Sequence, residues 1–241
     1  MALGPFYVAQ KLSEANIVRG TVILMRHGET PWNREGRVMG RNPVELSESG
    51  RAQVEAAAAP ARSLKLDLIV TSPLIRARQT AEIIAGRLGG LEITEDPTIA
   101  EVSYGRWEGM TYHELIDDPH YAVYRESPVD YPTPGGETIP HVQARGVAAI
   151  HRAVEANPGR RILFVSHGDI IRTVLCYFLG LELKFFNRVR VDNAALSAIQ
   201  IAGNFAEVKF MNWLPEPSRA FISPFSRAKP QPDPNTSKTN E

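Results

Sequence analysis

The chain has 241 residues and a mass of 26.7 kDa, with 43% hydrophobic and 22% charged residues, which suits one compact domain or two small ones and excludes fibrous and wholly disordered classes. Its 27 Lys and Arg balance 27 Asp and Glu, so no net field draws it toward nucleic acid or an anionic membrane, and local cation clusters must do any anion binding. No run approaches the roughly 20 apolar residues of a membrane span, the amino terminus has no export-signal pattern, and the single Cys176 reads as a buried hydrophobe, which together point to a reducing, cytoplasmic setting.

Residues 1–20, with Gly4-Pro5, read as an appended arm. The first strong β-run is Thr21 to Met25, and Asp67 to Thr71 and Arg161 to Ser166 are similar short, β-branched runs expected of strands covered on both faces. Helices are expected over Ser49 to Ala61, with Val54, Ala57, Ala58 and Ala61 on one face, and over Pro73 to Leu88, where Pro73 suits a first helical turn. Ile93 marks a short strand. The stretch 102–136 mixes Gly, Pro and aromatic residues and reads as an irregular cap. A helix resumes near Glu137 and stops at Asn157-Pro158-Gly159; another follows Gly168, burying Ile171, Val174, Leu175 and Phe178. Two late strands are expected at Ala195 to Ile201 and Ala206 to Met211, and 215–241 is a Pro-rich, partly disordered tail. The alternation predicts a three-layer α/β/α sandwich with a mostly parallel central sheet and functional loops beyond the carboxyl ends of its strands.

Two histidines stand at such ends. Arg26-His27-Gly28 follows the first strand and Ser166-His167-Gly168 follows a later one. An isolated histidine is ordinarily a satisfied structural residue, but the same strand-end design twice favours chemistry. His27, His167 and Glu101 offer donors for a metal, yet no short His or Cys spacing accompanies them and Arg26 opposes a cation, so neither metal nor cofactor is expected.

Arg26-His27-Gly28-Glu29-Thr30 resembles the signature of the histidine phosphatase superfamily, also called phosphoglycerate mutase-like. Trp32-Asn33, Gly36-Arg37, Leu46-Ser47 with Gly50, Ser72-Pro73-Leu74-Ile75-Arg76-Ala77, Glu101 with Trp107-Glu108-Gly109, Pro134-Gly135-Gly136-Glu137 and Ser166-His167-Gly168 extend it in family order over about residues 20–212. The resemblance implies a phosphoglycerate mutase-like fold with its catalytic domain over 21–214. It implies His27 as nucleophile, Arg26 and Arg76 as phosphate clamps, Glu101 as general acid/base, His167 as second phosphate-binding histidine and Asn33 as a phosphate donor, a capping role for Asn33 remaining open. Arg37, Met39 and Tyr104 are substrate-wall candidates, Met39 standing where relatives commonly carry Gln or Ser. Tyr104, Trp107, Tyr112, Tyr121 and Tyr124 either cover the substrate or pack a core or dimer surface. His113, His120, His141 and His151 read as structural or solvent-facing, with a minor substrate role allowed for the first two, and Arg78 and Arg172 as solubilising or salt-bridged.

Only 65 residues separate Glu101 from His167, which resembles the compact phosphatase branch. The expected activity is therefore metal-independent hydrolysis of a small phosphorylated metabolite, a sugar phosphate or phosphoglycerate-like acid, through a phosphohistidine. A cofactor-dependent phosphoglycerate mutase and a nonenzymatic phosphometabolite-binding protein are the alternatives. The partner is that metabolite, with no nucleic acid or membrane involved; a homodimer is the candidate assembly.

Overall fold

The three β-branched runs form the centre of one sheet. In the computed structural model, which describes residues 18–215, they are β1 (Arg19–Arg26), β2 (Leu68–Thr71) and β4 (Arg161–Ser166), joined by β3 (Ile93–Glu95), β5 (Leu196–Ala202) and β6 (Phe205–Trp213). The arm at 1–20 and the tail at 215–241 lie outside the described residues except for 18–20 and 215. The strand order is β3-β2-β4-β1-β5-β6. The first four are parallel; β5 runs antiparallel to β1, and β6 antiparallel to β5.

Side chains alternate along each strand and sort into two apolar clusters, one per face. Val22, Leu24, Val70, Ile162 and Phe164 face α6 (Ile139–Ala156) and α7 (Gly168–Leu179). Ile23, Met25, Ile69, Leu163 and Val165 face α2 (Glu48–Ser63) and α3 (Ile75–Arg87). A sheet buried on both faces between two helical layers is the expected three-layer sandwich, mostly parallel at its centre. Among the described residues no helix is long and apolar enough to cross a membrane.

The cap is more ordered than its composition suggests. It contains α4 (Tyr112–Ile116) and α5 (Pro119–Glu126), whereas α1 (Pro31–Glu35) lies in the loop after β1. The cap helices are short and carry little apolar periodicity, but their starts are specified: Thr111 and Glu114 form a reciprocal capping box, and Asp118 caps the turn opened by Pro119. Trp107 is 1% exposed and meets Tyr121 and Tyr124 edge-on at 5.7 and 5.2 Å, joining the cap to the core beneath α6 and α7. Backbone bonds between Val38 and both Met110 and Gly109, each 2.8 Å, tie the cap to the loop that follows α1.

Gly50, in the first turn of α2, lies against the chain just after His27. A Cβ there would fall 2.0 Å from the Glu29 carbonyl oxygen, and one on Gly28 would fall 2.5 Å from the Gly50 carbonyl. Neither neighbour is a side chain that can swing aside. Gly50→Ala is expected to cost about 1–3 kcal/mol, read as a lower midpoint in urea unfolding, because the backbone itself must move; an unchanged midpoint would show that the two segments part freely.

Candidate active site

The register of β1, β4 and β2 brings three strand ends level. Arg26 pairs with Ser166 and Thr71 with Val165, so His27, Ser72 and His167 leave the sheet side by side. The His27 N–H donates to the Ser166 carbonyl and the Ser72 N–H to the Val165 carbonyl, both at 3.0 Å. The two imidazoles lie 5.3 Å apart, centre to centre. His27 Nδ1 is 2.7 Å from the Gly28 carbonyl oxygen; a carbonyl only accepts, so Nδ1 carries the hydrogen and Nε2 keeps its lone pair. Burial, together with Arg76 and Arg26, holds this imidazole well below its usual range, which keeps it neutral.

His167 Nε2 lies 2.7 Å from Ser72 Oγ, which also accepts from the Leu74 N–H at 3.3 Å. With the Ser72 hydroxyl donating to Nε2, the ring proton sits on His167 Nδ1, the tautomer that offers a donor to an anion. Burial and Arg76 keep this imidazole neutral too. His167 is wholly buried, beneath the cavity rather than in its wall.

Arg76, near the start of α3, is also fully buried; it donates to the carbonyls of Asn42 (Nη1, 3.0 Å) and Gly40 (Nη2, 2.7 Å). Burial lowers its pKa to about 10, still cationic at neutral pH. Arg26 Nη1 donates to the Val191 carbonyl at 2.8 Å. Among the described residues three buried side-chain nitrogens have no hydrogen-bond partner: Arg26 Nε, Arg76 Nε and His167 Nδ1. All three belong to the set expected to hold a phosphate. Buried donors are ordinarily paired, so three orphans on this set form a ready anion site.

Glu101 approaches from the other side. A Cβ built on Gly168 would lie 3.6 Å from Arg26 Nε and 3.9 Å from Glu101 Oε2, so both groups flank the start of α7. Burial raises the Glu101 pKa and Asp169 adds to the rise, against the pull of Arg76 and Arg26. The segment that carries it, just after the 3-10 turn Pro97–Ile99, is clamped from behind. Arg145 donates to the carbonyls of Thr98 (2.7 Å), Ala100 (2.6 Å) and Glu101 (3.2 Å), and Glu137 pairs with both Arg145 and Arg41 at 3.0 Å.

Asn33 takes the capping role, in a reciprocal box with Thr30, and lies on the cavity. Its Oδ1 accepts from the Thr30 N–H at 3.0 Å and from Asn193 Nδ2 at 3.3 Å, and the side chain lines the cavity with its own Nδ2 uncommitted. Asn193 Nδ2 also donates to the His27 carbonyl at 3.0 Å. Ala194, at φ 57°, directs its N–H to the Arg26 carbonyl at 3.1 Å. The segment before β5 thus braces the loop that carries His27.

Arg26, His27, Asn33, Arg76 and Glu101 open on a cavity of about 400 Å3. Arg26, Arg37, Arg76, Arg125 and Arg172 line it against two carboxylates, Glu101 and Asp169, a local positive excess in a chain of zero net charge. Met39 and all five cap aromatics named from the sequence line it as well. Arg37 is there but engaged, with Glu35 at 3.1 Å and the Gly109 carbonyl at 2.6 Å. His113, His120, His141 and His151 are not in its wall. Arg172, read as solubilising or salt-bridged, is salt-bridged to Asp169 at 2.6 Å and does reach the cavity; Asp169 also accepts from the Tyr104 hydroxyl. Asp169, Asn193 and Arg145 were not singled out from sequence. The Asp169–Arg172 spacing is a legible i,i+3 pair, but Asn193 meets His27 across 166 positions with no local signal. Among the described residues no cluster of three or more His, Cys, Asp or Glu side chains is arranged to hold a metal ion.

A sequence profile described as the histidine phosphatase superfamily (branch 1) matches residues 22–214. An acid phosphatase of Mycobacterium tuberculosis is 34% identical over 179 residues, 73% of this chain and 83% of that protein. A Cronobacter sakazakii protein named "Probable phosphoglycerate mutase GpmB" is 33% identical over 181 residues, 74% of this chain and 83% of its own length. Phosphoserine phosphatase from Entamoeba histolytica, solved with 3-phosphoglyceric acid, superimposes with a TM-score of 0.72 at 28% identity, covering 80% of this chain and 97% of that one. The sheet, the paired strand-end histidines and these matches agree, and the chain belongs to the histidine phosphatase superfamily, branch 1.

Proposed function

We propose that this chain is a phosphomonoester hydrolase that releases inorganic phosphate from a small phosphorylated metabolite, a sugar phosphate or a phosphoglycerate-like acid, through a phosphohistidine at His27. The observation that carries the reading is the neutral His27 with its Nδ1 hydrogen engaged by Gly28, which leaves Nε2 as the free nucleophile beside the buried Arg76 and the half-buried Arg26. Nε2 attacks phosphorus as the ester P–O bond breaks, and protonated Glu101 gives its proton to the departing alkoxide. Arg26, Arg76, His167 Nδ1 and the Asn33 amide hold the three equatorial oxygens in the in-line transition state. Water then attacks the phosphohistidine while the Glu101 carboxylate takes its proton. The P–N bond breaks, its electron pair returns to Nε2, and phosphate leaves.

Every charge in this scheme is borne by the protein or substrate, so no metal is required. Arg37, Met39 and Tyr104 contact the leaving group. The buried Cys176 agrees with a reducing, cytoplasmic setting. The relative carrying a mutase name supports a second reading, isomerisation of a phosphoglycerate. Phosphate release from a panel of phosphomonoesters, assayed with a chelator and with or without 2,3-bisphosphoglycerate, separates the readings. Hydrolysis gives stoichiometric phosphate, untouched by chelation and needing no bisphosphate. Bisphosphate-dependent isomer formation without phosphate establishes the mutase, tight binding without turnover a nonenzymatic role, and activity lost on chelation a metal.

A further inference from the structure

Two carboxylates stand in the cavity wall, and their surroundings differ. Asp169, in the first turn of α7, has both oxygens taken: Arg172 Nη1 donates to Oδ1 at 2.6 Å, and the Tyr104 hydroxyl donates to Oδ2. A carboxylate held by a cation and a phenol at the start of a helix keeps its charge. Glu101 makes one side-chain hydrogen bond among the described residues, Oε1 accepting from the Val102 N–H at 3.0 Å, and its Oε2 is left facing the start of α7. Where the settings of two neighbouring acids diverge in this way, one stays ionised and the other holds a proton.

The clamp works against that proton. Burial favours the acid form of Glu101, but Arg76 of α3 and Arg26 of β1 favour the carboxylate, the form that cannot protonate a leaving group. Arg172 pulls the same way but is in contact with Asp169. Tyr104 and, from α5, Tyr124 stay protonated and uncharged, and the rings of His27 and His167 are neutral. Arg145 of α6 and Arg41 reach the Glu101 carbonyl rather than its carboxyl, and Glu108 is turned to the Tyr104 N–H and Asn42. Among the described residues that line the cavity, Asp169 is the one other carboxylate to set against the clamp.

Resting on the hydrolase reading, we propose that Asp169 is a positioning residue for the acid step: pinned by Arg172 and Tyr104 beside Glu101, its fixed negative charge holds on Glu101 the proton that the departing alkoxide takes. It acts through Glu101 and touches neither phosphorus nor the leaving oxygen. Standing two residues after His167, it ties this charge to the strand end that presents the second histidine.

The test reads Glu101 directly. In protein carrying glutamate labelled with 13C at the carboxyl, the Glu101 resonance is assigned by its loss in Glu101→Gln and titrated in phosphate-free buffer. Asp169→Asn keeps the shape and removes the charge, and should lower the Glu101 midpoint by about one unit; Arg172→Gln leaves Asp169 unopposed and should raise it by about half a unit or more. Opposite signs separate charge from packing, because a loosened wall that admits water lowers the midpoint in both. The second variant carries its own sign should the first fail to fold. For glycerol 3-phosphate and 3-phosphoglycerate the alkaline limb should move in the same direction, Asp169→Asn losing about tenfold in kcat/KM above the midpoint. The phosphorylation burst with p-nitrophenyl phosphate, whose leaving group needs no proton, should stay within about twofold. A midpoint that ignores Asp169→Asn, shifts of one sign in both variants, or shifts without movement of the limb overturn the proposal, while His27-dependent phosphate release leaves the hydrolase reading standing. The expected shifts with no release from any ester end the acid role and the hydrolase reading together.

Discussion

His27→Ala is expected to lower kcat by about 10^4- to 10^6-fold, the scale seen when a covalent nucleophile is removed. The variant should also take up no label from a 32P-phosphomonoester under acid-free quenching, whereas the parent protein should form an acid-labile phosphoenzyme. The ring makes one side-chain hydrogen bond, to its neighbour Gly28, so the fold should survive and thermal unfolding remain cooperative. Anion binding should survive as well, since Arg26 and Arg76 take their anchors from the carbonyls of Val191, Gly40 and Asn42 rather than from the imidazole. Label that persists in the variant would place the covalent step elsewhere; equal turnover would remove it.

Glu101→Gln should slow turnover by about 10^2- to 10^4-fold, with a signature that a merely structural residue would lack. The amide can neither give a proton to an alkoxide nor take one from water. With p-nitrophenyl phosphate, whose leaving group needs no proton, phosphorylation of His27 should stay fast and the phosphoenzyme accumulate as a burst, because hydrolysis still lacks its base. The pH dependence carries a sign. On the proposed mechanism the parent protein should lose activity as pH rises through the raised pKa of Glu101, since the first step needs the acid form, and on the acid side only where His27 takes up a proton, well below the usual imidazole range. The optimum is therefore acidic to neutral. In Glu101→Gln the alkaline fall should vanish, leaving a low, flat profile; a parent-like alkaline limb in the variant would assign that limb to another group.

The sheet was legible because its strands are short apolar runs buried on both faces, and a run such as Ile162 to Val165 has little else to become. Helix faces were legible for the same reason: Val54, Ala57, Ala58 and Ala61 recur at helical spacing and are all buried. Boundaries moved where local chemistry overrode pattern. α2 runs two residues past Ala61, to Ser63, and α3 begins at Ile75 rather than Pro73. The cap helices went unread because a five- or eight-residue helix shows almost no periodicity, although the Thr111 to Glu114 capping box was present to be seen.

The candidate site divides along a similar line. His27 and His167 announce themselves by standing at strand ends before glycine, a local feature. Arg145, Asn193 and Asp169 act through partners brought near only by the fold, and nothing around Asn193 in the chain distinguishes it from a turn residue. Arg37 lies between the two cases: its position after Gly36 suggested a substrate contact, and it does line the cavity, but only the fold shows that it also bonds Glu35 and the Gly109 carbonyl.

The unpartnered Nε atoms of Arg26 and Arg76 and the unpartnered Nδ1 of His167 have a consequence for the end of the cycle. In the proposed role they would meet tetrahedral oxygens whatever those oxygens are attached to, and would make no distinction between an ester and the free ion left after cleavage. Orthophosphate should therefore compete with substrate and leave slowly, so that its escape, not bond cleavage, sets the pace when it builds up. A cell that lowers its free phosphate would quicken this protein without touching it.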